Sequence, residues 1–271
     1  MTLRINRNTQ LCMSLSGRPG NFGTRFQNYL YEALGLDYVY KAFTTRDLPA
    51  AIGGIRALGI RGCAISMPFK EACIPLVDEI DASAAAIESI NTIVNDDGHL
   101  HAYNTDYIAV AKLIEQHKVS PQTTLALRGS GGMAKAVACA LRDAGFRHGH
   151  IVARNEATGR KLAEASGFAW APDMRGIEAE LLINVTPLGM EGPEAQTLAF
   201  TEQEVERARV VFDVVALPSE TPLIQLARTK GKPVITGAEV IALQAVEQFV
   251  LYTGVRPDDA LIERAAAHAR G

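Results

Sequence analysis

The chain has little that would tie it to a metal, a membrane or a nucleic acid. Its four cysteines, Cys12, Cys63, Cys73 and Cys139, lie 51, 10 and 66 residues apart, a spacing that matches neither a CxxC redox pair nor a zinc knuckle. They read as small buried apolar residues in a reducing compartment. No apolar run approaches the roughly 18 to 20 residues of a membrane span, and the opening MTLRINRNTQ is polar where a signal peptide carries an apolar core. Basic blocks are missing too: 27 Lys and Arg against 30 Asp and Glu leave a net charge of −3, which speaks against a phosphate-backbone partner. The pairs His99-x-His101 and His148-x-His150 have no third ligand from Cys, Asp or Glu at ligand spacing, so no metal is expected. Together these absences predict a soluble, cytoplasmic chain that binds neither nucleic acid nor membrane.

What is present is enough apolar residue to fill a core. The 271 residues are 48% hydrophobic and 21% charged, and their length favours two domains over one. Strand-like runs alternate with helix-like ones, the pattern of an α/β chain with a parallel sheet flanked by helices. Residues 10–15, 38–43, 61–66 and 90–95 read as the first strands. Between them FGTRFQNYLYEAL and DLPAAIGGIRAL carry apolar residues at helical spacing, as at Phe22, Phe26, Tyr29 and Leu30. Asp97-Gly98 marks a hairpin, because that pair accepts the positive φ angles of a type I′ turn. An amphipathic helix, YIAVAKLIEQH, then leads through the loop KVSPQT into a second series. Its strands are TTLALR, HGHIVAR, AELLIN and RVVFDVV, with helices starting near Gly131, Glu156 and Thr221.

In LALRGSGGMAKAVACAL, Gly129-Ser130-Gly131-Gly132 stands between an apolar strand and an Ala-rich helix. A pyrophosphate can approach such a backbone because no Cβ is in the way, and the helix start offers unpaired N–H groups and a positive dipole end. A tight β-α turn needing glycine for geometry alone is the plainer alternative. The next strand ends at Arg154, where an NAD-binding protein would place an acid for the ribose 2′-hydroxyl. An arginine there suits a 2′-phosphate and hence NADP, although Glu156 two residues on keeps NAD open.

In the first half, polar residues collect at strand ends and in the turns that follow: Ser14, Ser16, Ser66, Lys70, Asn91 and Asp106. Ligands of open α/β sheets gather at the carboxyl ends of the strands, so these side chains are candidates for one crevice. Neutral serines and an asparagine would fix a polyhydroxy acid, while Lys70 and Asp106 would shift a proton. Singly, each has a bland role as turn residue, helix cap or solvated lysine.

Their order along the chain resembles the shikimate dehydrogenase family from end to end. AISMPFKE resembles that family's Asn-Val-Thr-x-Pro-x-Lys motif, ESINT its Val-Asn-Thr, and AYNTDYIA its Gly-x-Asn-Thr-Asp-Gly. GSGGMAKAV resembles the Gly-rich loop, VARN the Asn-Arg-Thr, and LINVTPLGM the Asn-x-Thr-x-x-Gly-Met. DVVALPSETPLI and TGAEVIALQAVEQF resemble the remaining two motifs.

The resemblance implies a metal-free, NADP-linked, reversible oxidation of the shikimate 3-hydroxyl, a step of aromatic amino acid biosynthesis. Lys70 and Asp106 would be the catalytic pair. Ser14, Ser16, Ser66, Asn91 and Gln244 would bind the ring acid, the two serines taking its carboxylate. Gly129, Ser130, Gly131, Gly132, Met133 and Arg154 would hold the cofactor, with Val214 and Gly237 near its nicotinamide. Residues 1–106, completed by the helices of 241–271, would form the substrate domain, and 107–240 a Rossmann-like NADP-binding domain. Gln244 draws separate support from its apolar helix, where a buried amide needs a partner.

Four departures from the family pattern touch the expected sites. SLSGRPGNFGTRF is longer than the family's Ser-x-Ser-Pro loop, Ala64 replaces Asn, Tyr107 replaces Gly and Ala216 replaces Tyr. Thr158 stands where the family has a second basic residue after Arg154, with Arg160 and Lys161 as nearby substitutes. The pattern is that of a divergent member acting on shikimate or a related cyclic hydroxy acid. A quinate or aminated-ring dehydrogenase, and a nucleotide-sensing module that has lost turnover, are the alternatives.

Overall fold

The computed structural model describes residues 5–85 and 87–270, so the outermost ends of both terminal segments lie outside the described residues. The chain divides into two compact units, Met1–Thr105 with Ala242–Gly271, and Asp106–Ile241.

The first unit is built on a six-stranded sheet. Strands β1 (Gln10–Leu15), β2 (Tyr38–Phe43) and β3 (Gly62–Ile65) run parallel, while β5 (Thr92–Asp96) and β6 (His99–Tyr103) form an antiparallel hairpin against β3. The two-residue strand β4 (Glu79–Ile80) completes the order β2-β1-β3-β5-β6-β4. At the hairpin turn both Asp97 (φ 50°) and Gly98 (φ 92°) lie at positive φ, as the Asp-Gly pair predicts. Alternation along β1 sends Cys12 to one face and Met13 and Leu15 to the other. On the Met13 face pack Ile52 and Ile55 of α2 (Leu48–Ala57), whose start is capped by Asp47 accepting from Ala50 N at 3.0 Å. On the Cys12 face pack α1 (Phe22–Ala33) and the C-terminal helices α9 (Gly237–Thr253) and α10 (Asp259–Arg270). Val246, Phe249 and Tyr252 of α9 are fully enclosed there, and burying side chains of this size contributes about 1.5 to 3 kcal/mol each. Gly62 is required under that helix, because a Cβ there would lie 2.2 Å from the Tyr252 ring. A short helix, α3 (Ala82–Ala85), precedes β5.

Helix α4 (Thr105–Gln116) leads into the second unit, an all-parallel sheet of order β12-β11-β10-β7-β8-β9. Its strands are β7 (Leu125–Arg128), β8 (Gly149–Val152), β9 (Ala169–Ala171), β10 (Leu181–Asn184), β11 (Val210–Asp213) and β12 (Val234–Thr236). From β7 the chain winds outward through β8 and β9, then restarts beside β7 at β10, which makes the β7/β10 border the switch point where such sheets bind ligands. The helices are α5 (Gly132–Asp143), α6 (Glu156–Ser166), α7 (Glu202–Arg207) and α8 (Pro222–Thr229). Local chemistry sets their ends. Asn155 caps α6 by accepting from Thr158 N, and Gly167 stops it at φ 73°; Thr201 and Glu204 form a capping box on α7.

Strands β4, β9 and β12, of two or three residues each, have no counterpart among the strand-like runs of the sequence. All four cysteines are buried, and none of them forms a disulfide. Burial pushes the Cys12 and Cys73 thiols up to about 12, which keeps them protonated and unreactive.

Candidate functional site

In the first unit the candidate residues gather where β1 and β3 end and β5 begins. Ser66 follows β3 and its N–H reaches back to Leu15 O at 3.0 Å. Lys70 sits in the turn after it, half-buried, its carbonyl accepting from Ile90 N at 3.2 Å. Ser14 shares a hydrogen bond with the buried Tyr40 hydroxyl. Ser16 Oγ accepts from Arg18 N at 3.1 Å, which leaves its own O–H proton for another acceptor.

Asn91 is the centre of this cluster and is 1% exposed. Its backbone bridges two strands, the N–H donating to Tyr103 O at 3.0 Å and the carbonyl accepting from Ile65 N at 2.7 Å. Its side-chain Oδ1 accepts three times, from Thr92 Oγ1 at 2.8 Å, Thr105 N at 2.8 Å and Thr105 Oγ1 at 3.1 Å. Three donors on one atom fix which way the amide faces. Nδ2 is thereby turned away, buried and without an acceptor. A buried donor left unmade costs about 1 to 3 kcal/mol, so this one asks for a ligand oxygen.

Helix α9 supports the same residue. Gln244 is half-buried, and the enclosed amide of this helix is Gln248, one turn on. Gln248 Nε2 donates to Thr92 Oγ1 at 3.2 Å and to Asn91 O at 3.4 Å. Gln244 therefore shares a stripe with a side chain that reaches the cluster, although the burial expected for it belongs to Gln248. The signal was present in the sequence, since Gln248 repeats the polar break at i+4 on an apolar helix.

Asp106 opens the second unit, in the first turn of α4, and is 8% exposed. Tyr107 beside it donates to Asp143 Oδ2 on α5 at 2.8 Å, and burial together with that carboxylate pushes its hydroxyl up to about 12. The hydroxyl is thus engaged on α5.

The glycine loop after β7 has two kinds of glycine. Gly129 has φ 128°, and a Cβ there would lie 2.8 Å from Val185 Cγ2, so its role is partly geometric. Gly131, the N-cap of α5, and Gly132, its first residue, have nothing within 4 Å of where a Cβ would sit. Open space over the unpaired N–H groups of a helix start is a cradle for a pyrophosphate, so these residues fit a dinucleotide. Met133 follows on α5, half-buried, and Ser130 Oγ lies 2.7 Å from Thr158 Oγ1. Arg154 is exposed just beyond β8. Glu156 is paired with Arg160 at 2.7 Å.

Val214 and Gly237 come together after β11 and β12: a Cβ on Gly237 would lie 2.3 Å from Val215 O and 2.5 Å from Val214 O. A buried network missed in the sequence holds this end of the sheet. Asp213 accepts from Thr221 Oγ1 at 2.7 Å, Asn184 Nδ2 at 3.0 Å and Val215 N at 3.1 Å. Burial raises its carboxyl above the ordinary value despite those donors. Asn184 Oδ1 in turn accepts from Thr186 Oγ1 at 2.6 Å, which positions the segment that closes on Gly129.

Among the described residues no group of three His, Cys, Asp or Glu could hold a metal, and no helix is long and apolar enough to cross a membrane.

Residues 22–93 match the family model of the shikimate dehydrogenase substrate binding domain. The chain is 58% identical over 267 residues to a shikimate dehydrogenase-like protein of Haemophilus influenzae, covering 98% of each. It is 34% identical to the NADP(+) shikimate dehydrogenase of Moorella thermoacetica, over 99% of this chain and 96% of that one. Among solved structures, shikimate 5-dehydrogenase of Thermus thermophilus in complex with NADP(H) and shikimate superposes with a TM-score of 0.86 at 28% identity, over 96% of this chain and 99% of that one. Quinate dehydrogenase of Corynebacterium glutamicum in complex with NAD gives 0.87 at 28% identity, over 96% and 98%.

The two glycine types separate in a binding experiment. Gly131→Ala should keep the wild-type melting temperature and lose at least about 10-fold in dinucleotide affinity by calorimetry, one decade per 1.4 kcal/mol. Gly129→Ala should instead lower the melting temperature. Unchanged affinity in Gly131→Ala would mean that the open cradle is not used.

Proposed function

Because the chain belongs to the shikimate dehydrogenase family, we propose that it oxidises, reversibly and with NADP, the ring 3-hydroxyl of shikimate or of a closely related cyclic hydroxy acid. The observation that carries this reading is the orphaned Asn91 Nδ2, a buried neutral donor of the kind that fixes a ring hydroxyl. Ser14, Ser16, Ser66 and Gln244 join it in binding the acid, with the serines on its carboxylate. The first unit takes the substrate and the second the cofactor, on Gly129, Ser130, Gly131, Gly132, Met133 and Arg154, with Val214 and Gly237 toward the nicotinamide. The nicotinamide supplies the hydride acceptor when bound. Removing hydride from a secondary alcohol requires loss of the hydroxyl proton, and Lys70 and Asp106 carry that transfer. NADP is preferred to NAD because Arg154 can give parallel charge-assisted bonds to a 2′-phosphate, while Glu156, the carboxylate that would favour a ribose hydroxyl, is occupied by Arg160.

Lys70→Ala should lower kcat by about 10²- to 10⁴-fold, the usual worth of a positioned acid-base group, with KM for the ring acid changed only a few-fold. Near-normal turnover in this variant would remove Lys70 from the chemistry.

A second reading, that another ring acid such as quinate is the better substrate, is favoured by Ala64 and Ala216, which carry no polar atom where the family pattern has Asn and Tyr. Each lost neutral hydrogen bond costs about 0.5 to 1.5 kcal/mol, so the pair lowers shikimate kcat/KM roughly 5- to 150-fold. Under the shikimate reading, Ala64→Asn combined with Ala216→Tyr should recover shikimate turnover in steady-state assays. A further fall would show a pocket shaped for a different acid.

A further inference from the structure

The cofactor half holds one cation that the family pattern does not explain. Arg128 is the last residue of β7, immediately before Gly129, where an apolar strand residue would serve the fold. Its Cα pairs with Val152 on β8, and Ala126 and Val152 belong to the same buried cluster, so period two puts Arg128 on that face. Arg154 lies two residues beyond Val152, at the same end of the sheet. The two guanidinium groups repel one another, and desolvation together with that repulsion draws Arg128 below its ordinary value.

Arg128 is poorly satisfied where it stands. Its Nε is buried with no hydrogen-bond partner, and its guanidinium lies 5.1 Å from the Phe200 ring centroid. Two carboxylates reach it by charge, Glu204 and Asp173, but both are engaged elsewhere. Glu204 accepts from Thr201 N at 2.6 Å in the capping box of α7, and Asp173 is bound to Arg175 at 2.7 Å. A half-buried guanidinium with an unmade N–H and a like charge nearby is costly unless an anion completes it.

The nearby alternatives for a second phosphate cation are weaker. Thr158, at the family's second basic position, is neutral and its hydroxyl lies against Ser130. Arg160 bonds Glu156 and stacks 4.3 Å from the Trp170 ring centroid.

We propose that Arg128 is the second cation for the cofactor's 2′-phosphate, acting with Arg154 from the strand on the other side of the glycine loop. This rests on the NADP reading above. A phosphate dianion between two guanidinium groups turns their mutual repulsion into a shared attraction and satisfies the unmade donor.

The test is calorimetric binding of NADP+, NAD+ and adenosine 2′,5′-bisphosphate to the full-length wild type, Arg128→Met, Arg128→Lys and Arg154→Ala. Arg128→Met keeps a flexible apolar side chain over Phe200 while removing the charge. It should weaken NADP+ and the bisphosphate about 10- to 150-fold and leave NAD+ within about twofold, and Arg128→Lys should recover part of the loss. Equal losses for NADP+ and NAD+ would make Arg128 a structural residue and overturn the proposal. So would a wild type that prefers NADP+ and keeps that preference in both Arg128 variants, with the cofactor reading intact. A wild type that binds NADP+ and NAD+ equally would overturn the cofactor reading itself, and this inference with it. If Arg128→Met fails to fold, Arg128→Lys and Arg128→Gln carry the same comparison.

Discussion

A single buried carboxamide organises the substrate half. Asn91 sits where β3 ends, β5 begins and β6 hands over to α4, and its backbone and side chain together bond residues of all four elements. Inside a protein such a junction is strong because every member polarises its neighbours, and fragile because each unmade bond is costly. Saturating Oδ1 with Thr92 and Thr105 leaves only one orientation for the amide. The open Nδ2 donor is therefore a product of the fold, its direction fixed by the donors that saturate Oδ1.

The nucleotide half solves a different problem with backbone rather than side chains. A winding outward from β7 in both directions brings the glycine loop to the switch point of the sheet, where the space above Gly131 and Gly132 is open. Asp213, Asn184 and Thr186 keep the neighbouring segment against Gly129, so a buried and desolvated carboxylate is retained in the core for the sake of the loop it positions.

Much of this was legible in the chain itself, for physical reasons that differ from element to element. The Asp97-Gly98 hairpin and the strand-glycine-helix passage at residues 125–143 were readable because their geometry is demanded by two or three adjacent residues. Strands β4, β9 and β12 were not, since two or three residues are too few to show a period. The partners of Asn91 divide the same way. Thr92 is its neighbour in the chain, whereas Gln248 lies 157 residues away and is brought in by a helix whose docking no local signal announces. The partner of the Tyr107 hydroxyl is likewise distant in the chain, a carboxylate 36 residues on.

The most direct measurement is steady-state NADPH formation by the wild type and by Asn91→Asp over shikimate, quinate and related ring acids. Asn91→Asp keeps an acceptor for Thr92 and Thr105 and replaces the Nδ2 donor with a charged acceptor. If that donor meets a ring hydroxyl, kcat/KM for the preferred acid falls by about 10-fold or more, while KM for NADP+ stays at its wild-type value. Unchanged kinetics on every acid turned over would contradict the assignment of Asn91 to the substrate.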